Sequence, residues 1–175
     1  MARARLHALA GREVAQCMLH SIPEGITAMI QKILFATDFS DGSKPALAQA
    51  EQLAQATHAE LLVLHVREEF PFVPADAYGY ALPELEAQQG ATAAALLDEQ
   101  TAELQKRGVP CRGLTVLGSP HLHIVNVAEQ EKVDMIVLGT HGRNALGRLM
   151  LGSVAERVSR TSTVPVLVVR AARPS

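Results

Sequence analysis

Five short apolar runs alternate along the chain with stretches in which apolar residues return every three or four positions. The runs cover residues 33–37, 61–66, 111–117, 133–138 and 164–169. Apolar runs of this length predict buried strands, and the three-to-four spacing predicts amphipathic helices. Regular alternation of the two indicates right-handed crossovers and a parallel sheet that is covered on both faces. The pattern therefore predicts a doubly wound α/β fold with five strands.

Helix start and stop signals fall between the apolar runs. Ser40 or Asp41 can cap a first helix, and Ser119 followed by Pro120 begins a third. The longest helical stretch covers residues 85–106 and stops before a glycine, and the last helix covers residues 153–161. The residues expected on buried helix faces are Ala46, Leu47, Ala50, Leu53 and Ala54, then Leu85, Leu96, Leu97 and Leu104, then Ile124, Val125 and Ala128.

Two segments fall outside this alternation. Residues 1–29 carry three arginines and two acids without the apolar region of a secretory signal. We expect a flexible extension there, ahead of a single domain of residues 30–175.

Residues 67–82 form an irregular connection that contains prolines, and its aromatic side chains either cover an edge of the core or form a lid or a partner surface. Four of the six aromatic residues of the chain lie in this segment: Phe70, Phe72, Tyr78 and Tyr80.

Composition narrows the class of protein. With 175 residues and 48% hydrophobic content, one domain with a substantial core is expected. A net charge of -2 provides no basic field for nucleic acid or for an acidic membrane surface. No apolar run approaches the roughly 20 residues that span a bilayer. The two cysteines, Cys17 and Cys111, fit a reducing compartment, so a cytoplasmic location is expected.

Glycines follow the fourth apolar run at a distinctive spacing. They are Gly139, Gly142 and Gly152; nine residues separate the second from the third, and Ser153 comes next. Glycine allows close approach of the backbone, and the N-terminus of a helix offers unpaired N–H groups and partial positive charge. The spacing therefore predicts a loop and helix that hold phosphate groups.

Three separated motifs agree in order with one known family. The stretch G-2x-G-9x-G-S, together with ILFATDFSDGSKPAL near residue 33 and LLVLHV at residues 61–66, resembles the universal stress protein (UspA-like) family. The resemblance covers residues 30–171, and VPVLVVR matches the closing strand of the family. It implies a Rossmann-like, HUP-type sheet with strand order 3-2-1-4-5. It also implies a homodimer and membership of the subclass that binds ATP. The apolar strand from Val164 to Val169 is expected at the edge of this sheet, where pairing with a second copy would protect it, so we expect the dimer to form there.

The same resemblance implies where ATP would lie, with Mg²⁺ as its expected metal. Strand order 3-2-1-4-5 reverses between strands 1 and 4, and open α/β sheets bind ligands beside such a reversal. Ala36, Thr37 and Asp38 would lie beside adenosine, with Asp38 a partner for the base, a ribose hydroxyl or a metal. The main chain of Val66 would meet the adenine edge. The residues implied for the ribose and the phosphates are Leu138, Gly139, Gly142, Gly152, Ser153 and Val154.

Several of these residues have a second interpretation. Asp38 can instead cap backbone amides of its own turn, and Ser153 can cap the last helix without any phosphate. Arg143 can neutralise terminal phosphate oxygens or lie in a solvated loop. His65 is interpreted as a hydrogen-bonded core histidine. The two histidines of the HLH sequence at residues 121–123 would point to different helix faces, which disfavours a shared metal.

The sequence contains no recognisable catalytic constellation beside the glycine motif. The Walker pattern with its lysine is missing, so any ATP hydrolysis is expected to be slow. The first hypothesis is an ATP-binding stress protein, a dimer whose nucleotide controls conformation or partner choice. The second is an interaction module with an unoccupied nucleotide site and the aromatic segment 70–80 as its partner surface.

Overall fold

A single parallel sheet organises the computed structural model, which describes residues 30–68, 81–140 and 151–170. The extension 1–29, the aromatic segment 70–80 and the loop residues Gly142 and Arg143 lie outside the described residues. Within the described ranges, no helix is long and apolar enough to cross a membrane. In chain order the elements are β1 (Lys32–Thr37), a 3-10 turn (Asp41–Ser43), α1 (Lys44–Thr57), β2 (Glu60–Arg67), α2 (Ala81–Lys106), β3 (Cys111–Leu117), α3 (Pro120–Gln130), β4 (Met135–Gly139), α4 (Ser153–Thr161) and β5 (Val166–Val169).

The strands lie in the order β3-β2-β1-β4-β5, and every neighbouring pair is parallel. This confirms the predicted doubly wound fold and its strand order. Because β1 lies at the centre, the chain reverses its direction of travel across the sheet between β1 and β4. Ala36 is paired with Leu138 across that junction, and Thr37 is paired with His65 on the other side of β1. The carboxyl ends of β2, β1 and β4 therefore form one continuous edge.

The three central strands, β2, β1 and β4, are buried on both faces, which explains why they read as apolar runs. Ile33 and Phe35 point to the face covered by α1 and α2, whereas Leu34 between them points to the face covered by α3 and α4. All three side chains are fully buried. The helices contribute alanine and leucine to the first layer, and isoleucine, valine and alanine to the second. The central strand is thus held from both sides.

The prediction for the buried face of the long helix is wrong for two of its four leucines. Leu85 and Leu96 are 42% and 38% exposed, whereas Leu97 and Leu104 are buried. Successive residues of a helix point about 100° apart, so Leu96 and Leu97 cannot both face the sheet squarely. The buried stripe of α2 consists of Ala93, Leu97, Thr101 and Leu104.

None of the three serines predicted to cap helices makes a side-chain cap bond at its helix start. Ser40 precedes the 3-10 turn, α1 starts only after Ser43, and neither serine makes a side-chain cap bond. Ser119 does occupy the position before α3, but its hydroxyl pairs with Nδ1 of His121 at 3.0 Å. Ser153 is the first residue of α4, and Gly152 takes the cap position. At the starts of α1 and α3, local side-chain bonds of the serines have replaced the expected caps, as short polar residues often allow.

Candidate functional site

The carboxyl ends of β1 and β4 lie side by side at the point where the sheet reverses. Since Ala36 and Leu138 are register partners, the chain leaves both strands next to each other, through Asp38 on one side and Gly139 on the other. Carboxyl ends of parallel strands beside such a reversal form a crevice that no crossover helix fills. This places the two predicted halves of the site at one edge.

The turn after β1 is held by its own polar side chains. One carboxylate oxygen of Asp38, Oδ1, accepts bonds from the backbone N–H of Ser40 at 3.1 Å and from its hydroxyl at 2.7 Å. The backbone N–H of Phe39 donates to Oγ1 of Thr37 at 3.0 Å. The two bonds from Ser40 fix the direction of the Asp38 carboxylate, and the residue remains partly exposed at the edge.

The helix that follows β4 returns to the same edge. The N–H of Gly152 donates to the carbonyl of Thr140 at 2.7 Å, and the N–H of Thr140 donates to the carbonyl of Val169 at 2.9 Å. These two bonds fix the start of α4 against the ends of β4 and β5. The amino end of α4, with its partial positive charge, therefore lies at the crevice.

Gly152 occupies a backbone conformation that does not require glycine. Its φ of -58° and ψ of 147° lie in the extended region that any residue adopts. Serine, threonine, aspartate and asparagine are the preferred residues at such a position, because their oxygens bond the first amides of a helix. A glycine there leaves the end of α4 without a side chain, so another oxygen-bearing group can approach.

Val66 and Leu138 offer main chain to this edge, and their side chains turn toward the core, that of Leu138 buried and that of Val66 partly buried. The side chain of Leu138 is only 4% exposed and lies in the layer beneath α3 and α4. Val66 lies one residue beyond the Thr37 to His65 pairing, and its side chain packs against the same layer. A ligand at this edge would therefore meet backbone atoms of these two residues.

The structure thus brings nine of the eleven predicted site residues to one edge. Gly142 and Arg143 lie outside the described residues. The nine are Ala36, Thr37, Asp38, Val66, Leu138, Gly139, Gly152, Ser153 and Val154. Ser40 and Ser43 shape the same turn but were predicted only as possible caps or not at all. For Ser40 the sequence signal is its place two residues after Asp38, the spacing of an aspartate turn.

Two other side chains that could carry chemistry, His65 and Cys111, instead contact backbone carbonyl groups. Nδ1 of His65 lies 2.8 Å from the carbonyl oxygen of Thr37, which confirms the interpretation as a hydrogen-bonded core histidine. The described part of the chain contains no group of three histidines, cysteines or acids that could hold a metal ion. The Cys111 thiol contacts the carbonyl of Thr101, and burial raises its pKa, so the reactive thiolate is disfavoured.

Comparison with known proteins gives a consistent result. The model of the universal stress protein family matches residues 29–170. A universal stress protein of Methanocaldococcus jannaschii is 32% identical over 158 residues, covering 83% of this chain and 98% of its own. The structure of UspA from Lactobacillus plantarum superposes with a TM-score of 0.74 at 27% identity, covering 82% and 99% of the two chains. A universal stress protein in complex with cAMP has a TM-score of 0.59 at 27% identity and covers 81% and 98%.

Proposed function

Because the chain belongs to the universal stress protein family, we propose that it binds ATP at the carboxyl edge of its sheet and acts as a nucleotide-dependent dimer in the stress response. One observation carries the proposal. The Asp38 turn follows β1 and the amino end of α4 is bonded to the residue after β4, so both lie at the edge where the sheet reverses; there they would offer an acceptor for ribose or metal and donors for phosphate. The similar protein in complex with cAMP supports a nucleotide as the ligand.

Each part of the edge has a role in this proposal. The carboxylate of Asp38 accepts a bond from adenosine or coordinates Mg²⁺, which commonly binds one carboxylate together with phosphate oxygens. The N–H groups at the start of α4 donate to the phosphates, and Gly139 and Gly152 permit their close approach. Gly142 would extend this cradle, and Arg143 would add a charge-assisted bond to the phosphates.

The proposed activity is binding, with hydrolysis at most slow. Fast phosphoryl transfer needs a positioned water and a cation on the developing charge, such as the lysine of a Walker loop. The sequence has no Walker motif. A retained nucleotide suits a regulatory role, in which the bound state selects a conformation or a partner.

The test of this proposal separates the two roles of Asp38. In Asp38→Asn, the amide oxygen still accepts the bonds from Ser40 but the charge is lost, whereas Asp38→Ala loses both. We expect both variants to bind ATP with Mg²⁺ about tenfold to a hundredfold more weakly than the parent, measured by calorimetry. We expect only Asp38→Ala to lower the melting temperature. Parental affinity in folded Asp38→Asn would mean that Asp38 is only a cap.

A second candidate function follows from the same contact. Oδ1 of Asp38 already accepts two bonds from Ser40, as it would in a purely structural turn. The protein would then be an interaction module with an unoccupied site, and its proposed partner surface, residues 70–80, lies outside the described residues. Mass spectrometry of ligand released from purified protein distinguishes the two candidates. Recovery of adenine nucleotide, or a thermal shift with ATP and Mg²⁺, supports the first.

The proposed dimer uses the apolar edge of the sheet. Val166, Leu167, Val168 and Val169 are all partly exposed, while the opposite edge strand, β3, exposes polar residues such as Arg112 and Thr115. An apolar edge strand is an aggregation hazard unless it pairs, and pairing across a two-fold axis satisfies both copies.

We expect light scattering at micromolar concentration to give twice the mass of the chain, and Leu167→Asp to give the mass of one chain. The variant buries a charge at the proposed interface, and a buried unpaired charge is strongly unfavourable. Thr115→Asp on the opposite edge is the matched control and should remain dimeric. A monomeric parent protein would contradict the proposed dimer.

A further inference from the structure

We infer that His65 is a positioning residue for Asp38, which it holds in place by contacting the residues immediately before and after it. The inference rests on the proposed nucleotide site, because it assigns a task to a buried side chain beneath that site. His65 is 7% exposed, and it belongs to β2, the strand beside the one that carries Asp38.

The first contact is a hydrogen bond to the residue before Asp38. Nδ1 of His65 lies 2.8 Å from the carbonyl oxygen of Thr37, its register partner and the last residue of β1. A carbonyl oxygen only accepts, so Nδ1 carries the proton and donates it. This bond fixes the peptide plane that joins Thr37 to Asp38, and with it the direction in which the Asp38 side chain leaves the sheet.

The second contact is with the residue after Asp38. The ring centroids of Phe39 and His65 are 4.5 Å apart, and the rings are tilted by 39°. Phe39 has a φ of 61°, in the left-handed region that residues other than glycine rarely adopt. Such a conformation persists only where the surroundings over-determine it. The His65 ring is one of those surroundings, since it packs against the side chain of the strained residue.

The hydroxyl groups of Ser43 and Thr37 form a hydrogen-bonded chain that also supports the turn. Oγ of Ser43 donates to the carbonyl of Ser40 at 2.8 Å, so in its 3.3 Å contact with Thr37 it accepts the Thr37 hydroxyl proton. Oγ1 of Thr37 in turn accepts the N–H of Phe39 at 3.0 Å. The Thr37 side chain thus holds the far side of the turn while its carbonyl is held by His65. Loss of the His65 bond releases one of two anchors on the same residue.

The experiment uses two variants that divide the contacts of His65. His65→Phe keeps a ring against Phe39 but removes the donor to Thr37, whereas His65→Asn keeps an N–H donor near the position of Nδ1 and removes the ring. Hydrogen exchange of the Phe39 and Ser40 amides reports the turn without any nucleotide. The Thr140 amide, on the neighbouring strand end, is the internal reference. ATP affinity is measured in parallel.

We expect His65→Phe to raise exchange at Phe39 and Ser40 by about tenfold while Thr140 is unchanged. We expect the same variant to bind ATP about tenfold more weakly, and His65→Asn, which keeps the donor but loses the ring contact with Phe39, to show a smaller loss of about threefold to fivefold in both measurements. A merely structural histidine would instead change the melting temperature of both variants and leave local exchange alone. Unchanged exchange in folded His65→Phe, or equal losses in His65→Asn, would overturn the inference. If the parent binds no ATP, the proposed function fails, and the exchange result still decides the role of His65.

Discussion

Replacement of Phe35 by alanine is expected to lower the free energy of unfolding by about 3–5 kcal/mol, because a buried phenylalanine loses its transfer energy and leaves a cavity. Phe35 lies in the middle of the central strand, is fully buried, and is flanked by Val63 and Val137 on the two neighbouring strands. The fully buried residues that α1 contributes to the same cluster are alanines, which are too small to fill the space. A loss of this size is a large part of the roughly 5–15 kcal/mol that stabilises most domains. Urea unfolding followed by circular dichroism measures it.

Two control variants test whether the loss of stability comes from the cavity that the Phe35 ring leaves. Phe35→Leu keeps most of the volume and should cost less than about half as much. Leu122→Ala removes a large apolar side chain that is 55% exposed, and should change stability by at most about 0.5 kcal/mol. If Phe35→Ala costs no more than Leu122→Ala, then the layer between the sheet and α1 is not packed as described.

The fold was predictable because both faces of the sheet are covered. Residues 33–36 are apolar without alternation, which only a strand buried on both sides requires, and the helices between such strands impose parallel pairing. Strand boundaries were less predictable. The fifth strand begins at Val166 and not at Val164, since Pro165 lacks an N–H and the carbonyl of Val164 accepts the Ser162 hydroxyl.

The start of β4 is a second strand boundary that the sequence pattern predicted incorrectly. Val133 was assigned to the strand because it is apolar, and it is buried, but its N–H donates to the carbonyl of Ala128 at the end of α3. Asp134 then caps the N–H groups of Gln31 and Lys32 with its carboxylate, at 2.8 and 2.9 Å. These are tertiary contacts across about a hundred residues. Local spacing contains no information about them.

Some residues of the candidate site could be predicted from the sequence, whereas their contacts could not. The positions of Asp38 and Gly139 at this edge were predictable, since both come at the ends of apolar runs and their residue types are unusual there. The bonding partners of Ser40 and His65 were not, because they depend on which atoms the turn and the register bring within hydrogen-bond distance. Ser153 was predicted as a cap and is the first helical residue, so the cap position falls on Gly152. The predicted helix start at residue 153 is therefore correct, and Gly152 is the residue to test at the cap position.

Gly152→Asp is expected to keep or slightly raise stability while it lowers ATP affinity by at least about a hundredfold. Aspartate is a better helix cap than glycine, the backbone there is extended, and a negative charge at a helix N-terminus contributes about 0.3–1 kcal/mol. The same charge would repel the proposed phosphates. Two unit charges about 5 Å apart at an effective dielectric constant of about 20 repel by roughly 3 kcal/mol, which is more than a hundredfold in affinity.

Gly152→Asn provides the matched comparison, because asparagine caps equally well and has nearly the same shape without the charge. We expect it to bind ATP within about tenfold of the parent, so the difference between the two variants measures repulsion alone. Adenosine, which has no phosphate, should bind both variants equally, and thermal unfolding should place both at or above the parent. Titration with ATP, ADP, AMP and adenosine should therefore show a penalty for aspartate that grows with phosphate charge. Equal ATP affinity in the two variants would mean that no phosphate lies at the start of α4, and the glycine there would need another explanation.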